Sequence, residues 1–135
     1  MTDDPINPKH YAGTECAQIG ERLTGNSYQV LKYNWRLGKK DAATIEVGKS
    51  IWYLDRELEL AYAGWQPPTS LFGPLPGLAQ FPSDAWFAER LVGQDEHVVN
   101  VALALINWNR FGDKDQLHIL RVDLSSVLRQ LEENN

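Results

Sequence analysis

The sequence is short of everything that would cross-link it or hold it in a membrane. A single cysteine, Cys16, in 135 residues excludes an internal disulfide, and no Cys/His grouping has zinc spacing, so no metal site is expected. No apolar run approaches the ~20 residues that cross a bilayer. The opening "MTDDPINPKH" is acidic and polar, unlike a leader peptide, which points to the cytoplasm and away from membranes. A cationic surplus is also missing: 13 Lys and Arg stand against 18 Asp and Glu, a net charge of −5. Binding to a nucleic-acid backbone, which draws on such a surplus, is therefore not expected. What is present, 43% hydrophobic and 23% charged residues, is the composition of one ordinary globular domain. Cys16, in "GTECAQIG", has no cationic setting in sequence and reads as a small buried hydrophobe.

One stretch imitates a phosphate-binding loop. In "DAATIEVGKS" (41–50), Ala43, four residues and Gly48-Lys49-Ser50 have P-loop spacing with Ala for the first Gly. A working loop needs a buried strand before it and a helix starting near the Lys. Here "KYNWRLGKKD" precedes it, charged and broken by Gly38, where a buried strand would be apolar and β-branched. From Asp41 to Ala63 the apolar positions Ile45, Ile51, Trp52, Leu54, Leu58, Ala61 and Tyr62 recur mostly at three and four, a helical period. The stretch reads as one long helix with Asp41 as N-cap, Gly64 as stop and Gly48 as a small residue for close packing.

Capping and stop residues divide the rest. Residues 1–13 read as an arm, and 14–23, 26–37 (capped by Asn26) and 41–63 as three helices. Residues 64–82 form a Pro/Gly-rich extended connector. A second set follows: a helix capped by Ser83, one from Asp95 to about Phe111, and one from Asp113 or Asp115 to about Glu133. "ERL" (21–23) returns at 89–91 and "RLGKKD" (36–41) as "RFGDKD" (110–115). The expected fold is all-α: two related three-helix units, 14–63 and 83–133, produced by internal duplication and packed about a pseudo-twofold axis. In that alignment Ile45 meets Ile119 and Leu54 meets Leu128, burying the same face.

The first unit carries the unusual chemistry. Lys32 and Arg36 share a helical face, with Lys39 and Lys40 just beyond; such a window can grip phosphate or carboxylate, and it also suits the negative end of a helix. Its copy exchanges Lys39 for Asp113, a loss that helix-end electrostatics alone would not favour, so the anion site is expected on the first unit. Glu46, Lys49, Tyr53 and Arg56 fall at i, i+3, i+7 and i+10, a polar stripe that reads either as the far wall of a site or as exposed surface. Asp55 and Glu59 make a second acidic edge, with Glu46 or Asp55 as candidate base. Trp35 and Trp52 could stack on a nucleobase or belong to the core. His97 and His118 read as surface residues, and His10 stands on the arm.

Taken in order, "NPKHY" (7–11), Glu15-Cys16, "KYNWRLGK" (32–39) and "KSIWYLDR" (49–56) resemble a family of small tailed-phage and prophage proteins. The family pattern runs P-x-H-Y, K-Y-x-W-R-x-G-K, an acidic pair, then K-x-x-W-Y-L-D-R. Many members are of unknown function; some are called phage nucleotide kinases, after a coliphage enzyme that phosphorylates deoxynucleoside monophosphates without a P-loop. The resemblance covers about residues 5–60 and implies a helix around Lys49. Residue by residue it implies nucleotide or phosphate contacts from His10, Tyr11, Lys32, Trp35, Arg36, Lys39, Lys49, Trp52, Tyr53 and Arg56, with Glu46 and Asp55 as catalytic carboxylates. ATP would be the cofactor and a bacterial cytoplasm the location. Where the family has its acidic pair, this chain has Ile45 and Glu46, which puts two-carboxylate chemistry in doubt. Two other readings stand beside this one: a non-catalytic phage protein that binds a host protein, and an all-α nucleotide pyrophosphohydrolase-like enzyme. A homo-oligomer is left open.

Overall fold

The computed structural model describes residues 14–72 and 81–134. The expected arm, with His10 and Tyr11, lies outside them, as does 73–80 of the connector. Every regular element among the described residues is a helix: α1 (Thr14–Gly20), α2 (Gly25–Trp35), α3 (Ala43–Tyr62), α4 (Pro68–Phe72), α5 (Asp84–Leu91), α6 (Glu96–Phe111) and α7 (Lys114–Glu133). The short α4, inside a segment expected to be extended, packs on α6. There the Thr69 hydroxyl donates to the Asn109 carbonyl at 2.5 Å.

Local chemistry explains most boundaries. Ser83, Asp95 and Asp113 cap α5, α6 and α7, accepting from the backbone N–H of Trp86, Val98 and Asp115. Two expected caps are corrected. Thr24, not Asn26, caps α2, accepting from Ser27 N; the helix starts at Gly25, so Asn26 lies inside its first turn, where Nδ2 donates to Glu57. Ala42 stands at the α3 cap with no side-chain bond, while Asp41 pairs with Lys49 at 3.6 Å. Gly38 and Gly112, at φ 75° and 68°, occupy the left-handed region that a side chain disfavours and turn the chain out of α2 and α6. The residues before Ala43 form a turn and no strand, and Lys49 lies within α3. The amides of Gly48-Lys49-Ser50 are thus committed to a helix and not to a phosphate.

The core gathers one face of each long helix: Val30, Leu31 and Trp35 from α2, Val47, Leu54 and Leu58 from α3, Val101, Leu105 and Trp108 from α6, and Leu117, Leu120 and Leu124 from α7. Full burial of such side chains stabilises by roughly 1.5–3 kcal/mol each. Gly20 is the close approach that α1 needs, since a Cβ there would lie 2.3–2.5 Å from the Tyr28 ring. Gly48 is not: among the described residues nothing lies within 4 Å of a Cβ placed on it, which corrects the expectation of close packing. Ile45 and Ile119 are about half exposed, 50% and 55%, instead of buried, while Leu54 is fully buried and Leu128 half-buried.

The hairpins α2–α3 and α6–α7 pack like against like, α2 on α6 and α3 on α7, with α1 on α5. Both central pairs run antiparallel. Late in α2, buried Asn34 meets His97 at the start of α6 (Oδ1···Nε2 2.8 Å). Late in α6, buried Asn109 accepts from Thr24 N at 2.8 Å. Across α3 and α7, Arg121 Nε donates to Asp55 at 2.7 Å, and Tyr62 meets His118 edge to face.

Candidate functional site

Positions 26, 29, 33 and 36 share one face of α2, and positions 46, 49, 53 and 57 one face of α3. The helices are antiparallel neighbours, so these faces meet in order. At one end Arg36 Nε lies 3.4 Å from Glu46 Oε2. Midway the Tyr33 and Tyr53 rings stack with centroids 6.0 Å apart. At the other end Asn26 Nδ2 donates to Glu57 Oε1 at 3.1 Å.

The first end is cationic. Arg36 Cζ sits 4.8 Å from the Tyr33 ring centroid, and the Lys32 and Lys49 ammonium groups at 5.7 and 5.6 Å, so one electron-rich ring faces three cations. Arg36 is 4% exposed and Glu46 0%. Neither oxygen of Glu46 accepts a hydrogen bond within the described residues. A buried carboxylate is ordinarily hydrogen-bonded, and leaving one bare is costly. The same cations reach Cys16 on α1. Burial pushes its thiol up to about 12, with Lys32 and Arg36 pulling weakly the other way, so Cys16 is an inert core group.

The structure brings Lys32, Arg36, Glu46, Lys49 and Tyr53 together and distributes the other candidates around them. Lys39 is exposed beyond α2. Trp52, 57% exposed, lies edge-on to Tyr53 at 5.0 Å and carries Arg56 over its ring at 5.1 Å. Trp35 is buried in the core. Asp55 points elsewhere, into the ion pair with Arg121 between α3 and α7. His118 is exposed as expected, but His97 is half-buried; burial lowers its pKa, opposed by Asp95 and Asp123. Among the described residues no three His, Cys, Asp or Glu side chains group as metal ligands.

Sequence reasoning missed Glu57. It is buried, and its Oε2 accepts from Trp108 Nε1 at 2.7 Å, Thr24 Oγ1 at 2.9 Å and Ser27 Oγ at 3.4 Å. Its neutral donors come from α2, its cap and α6. The available signal was spacing, since Glu57 continues the Glu46–Lys49–Tyr53 stripe one turn beyond Tyr53. Beside it opens a cleft of about 610 Å³, lined by Asn26, Gln29, Tyr53, Glu57 and Trp65 among others.

No family model, no curated protein and no solved structure matches the chain.

Proposed function

We propose that the α2–α3 groove binds a phosphorylated nucleotide in the manner of the phage nucleotide-kinase-like proteins that the sequence resembles. Lys32, Arg36 and Lys49 take phosphate oxygens, Lys39 and Arg56 stand at the rim, and Glu46 accepts a hydrogen bond or a proton from the ligand. The observation that carries this reading is Glu46: a buried carboxylate without hydrogen bonds among the described residues, beside Arg36, where three cations converge on Tyr33. Glu46 is fully buried, so a ligand reaches it only as the side chains enclosing it shift. Asp55, held by Arg121, has no part in the chemistry of this reading, and His10 and Tyr11 rest on the resemblance alone.

The test is a thermal-shift screen against nucleoside mono-, di- and triphosphates, with and without magnesium. A ligand at a hundred times its Kd raises stability by about 2.7 kcal/mol. Lys49→Ala weakens binding and Arg110→Ala does not; equal losses overturn the assignment. If the protein is a kinase drawing on ATP, Glu46→Gln abolishes transfer to a deoxynucleoside monophosphate while leaving binding within a few fold.

The same reading takes the hairpins as copies of one unit. Three features support it: the like-with-like antiparallel packing, Gly38 and Gly112 both in the left-handed region, and the similar exposure of Ile45 and Ile119. One observation favours the alternative of a non-catalytic protein that binds a host protein. An apolar cleft of about 390 Å³ opens between α5 and α6 beside Leu91, Val92 and Leu103, and Val92 is 77% exposed. Substituting Val92 and Leu103 by Ser leaves nucleotide binding intact under the first reading and removes partner binding under the second.

A further inference from the structure

The paired faces of α2 and α3 have a second end that the nucleotide reading above does not use. The cleft beside Glu57 lies on the same paired faces of α2 and α3 as the cation cluster. Ten helical residues separate Asn26 from Arg36, about 15 Å at 1.5 Å per residue. A nucleoside with two or three phosphates covers such a span; a nucleoside monophosphate is too short.

The cleft offers acceptors and aromatic surface where the other end offers cations. Glu57 Oε2 is saturated by its three donors, whereas Oε1 takes only Asn26 Nδ2 and retains acceptor capacity. Asn26, having committed Nδ2, keeps its carbonyl oxygen. Gln29 is half-buried and contributes a further amide. Trp65 is partly exposed, and its ring is steadied 6.4 Å from that of Trp108, a surface on which a planar group can lie. A carboxylate floor repels phosphate and accepts from N–H and O–H, so the two ends select opposite ends of one molecule.

We infer that this cleft receives the nucleoside end of a nucleoside di- or triphosphate whose phosphates lie on Lys32, Arg36 and Lys49. The inference rests on the nucleotide reading of the cation cluster and names its substrate class. Titration calorimetry of the whole chain with ATP, ADP, AMP and inorganic tripolyphosphate tests it. ATP and ADP bind at least about tenfold tighter than AMP. Trp65→Ala weakens ATP about tenfold, as loss of a stacking surface does, and the volume-conserving Gln29→Leu about fivefold, as loss of a hydrogen bond does. Neither changes tripolyphosphate affinity, whereas Lys49→Ala weakens both ligands. Should Trp65→Ala fail to fold, Gln29→Leu decides alone. AMP binding as tightly as ATP, or ATP binding indifferent to the cleft variants, overturns this inference and leaves the cation-cluster reading standing. Binding of none of the four, tripolyphosphate included, overturns both. Base and sugar both carry donors, so purine riboside triphosphate, which lacks the base donor, and 2′,3′-dideoxyATP, which lacks the sugar donors, are titrated beside ATP: a loss with either supports the acceptor floor, and no loss with both overturns it.

Discussion

Replacing Arg36 by Met isolates the physics of the buried carboxylate. Arg36 Nε lies 3.4 Å from Glu46 Oε2, and at an effective dielectric constant of about 20 two unit charges at that distance attract by roughly 5 kcal/mol. Desolvating two ions offsets much of that gain, so the pair adds little net stability; removing the cation alone is different. Arg36→Met keeps the apolar stem and leaves Glu46 buried beside no Arg36 charge and without hydrogen bonds among the described residues. Such a change costs about 3–5 kcal/mol, a large share of the ~5–15 kcal/mol that holds a domain together, and lowers Tm by roughly 10–20 °C. Adding Glu46→Leu removes the stranded charge, so Arg36→Met/Glu46→Leu is more stable than Arg36→Met alone. Urea unfolding of the wild type and both variants measures this. An Arg36→Met chain within about 1 kcal/mol of wild type, or a Glu46→Leu change that fails to rescue it, refutes the reasoning.

Three further outcomes follow from individual positions. Gly48→Ala stabilises by about 0.5–1 kcal/mol because it raises helix propensity in open space, whereas Gly20→Ala destabilises by about 1–3 kcal/mol because its methyl meets the Tyr28 ring; thermal melts that rank them the other way contradict the packing described. His97, whose pKa burial lowers first and foremost, binds its proton less readily folded than unfolded. As pH falls through about 6.5 the unfolded chain protonates first, so stability declines with falling pH, and His97→Gln flattens that decline in melts from pH 7.5 to 5.5. Cys16, its thiol pushed up to about 12, stays unlabelled by a thiol reagent at pH 8 until the chain is unfolded; rapid labelling of the native protein contradicts its burial.

Periodicity and stop residues carried the helices from the sequence, because a helix's apolar spacing, its Asp or Ser cap and its following Gly are all local. The two capping errors arose where the expected cap engages a partner on α3. Asn26 and Asp41 have the chemistry of N-caps, but Thr24 caps α2 while Asn26 donates to Glu57, and Asp41 pairs with Lys49. In the site, Lys32, Arg36, Glu46 and Lys49 were legible as cations and a carboxylate at helical spacing within a short stretch. Asp55 and Glu57 were not separable by type: two residues apart on one helix, they face different neighbours, Arg121 and Trp108. Spacing along α3 sets Glu57 on the face turned to α2, and the packing of the second hairpin supplies Trp108 and Arg121 to one and the other.

Asn34 and Asn109 bracket the α2–α6 crossing, both almost fully buried, one meeting His97 and the other the Thr24 N–H. Apolar burial is non-directional, so small and medium buried residues of the two helices, such as Val30, Val101, Ala102 and Ala104, do little to fix how far one helix slides along the other. A slide by a helical turn would part Asn34 Oδ1 from His97 and the Thr24 N–H from Asn109 Oδ1, at about 1–3 kcal/mol apiece, while each Nδ2 keeps its bond to the carbonyl four residues back. The two asparagines therefore act as a vernier, penalising every misaligned docking of the hairpins and leaving a single register for the groove on α2 to be built upon.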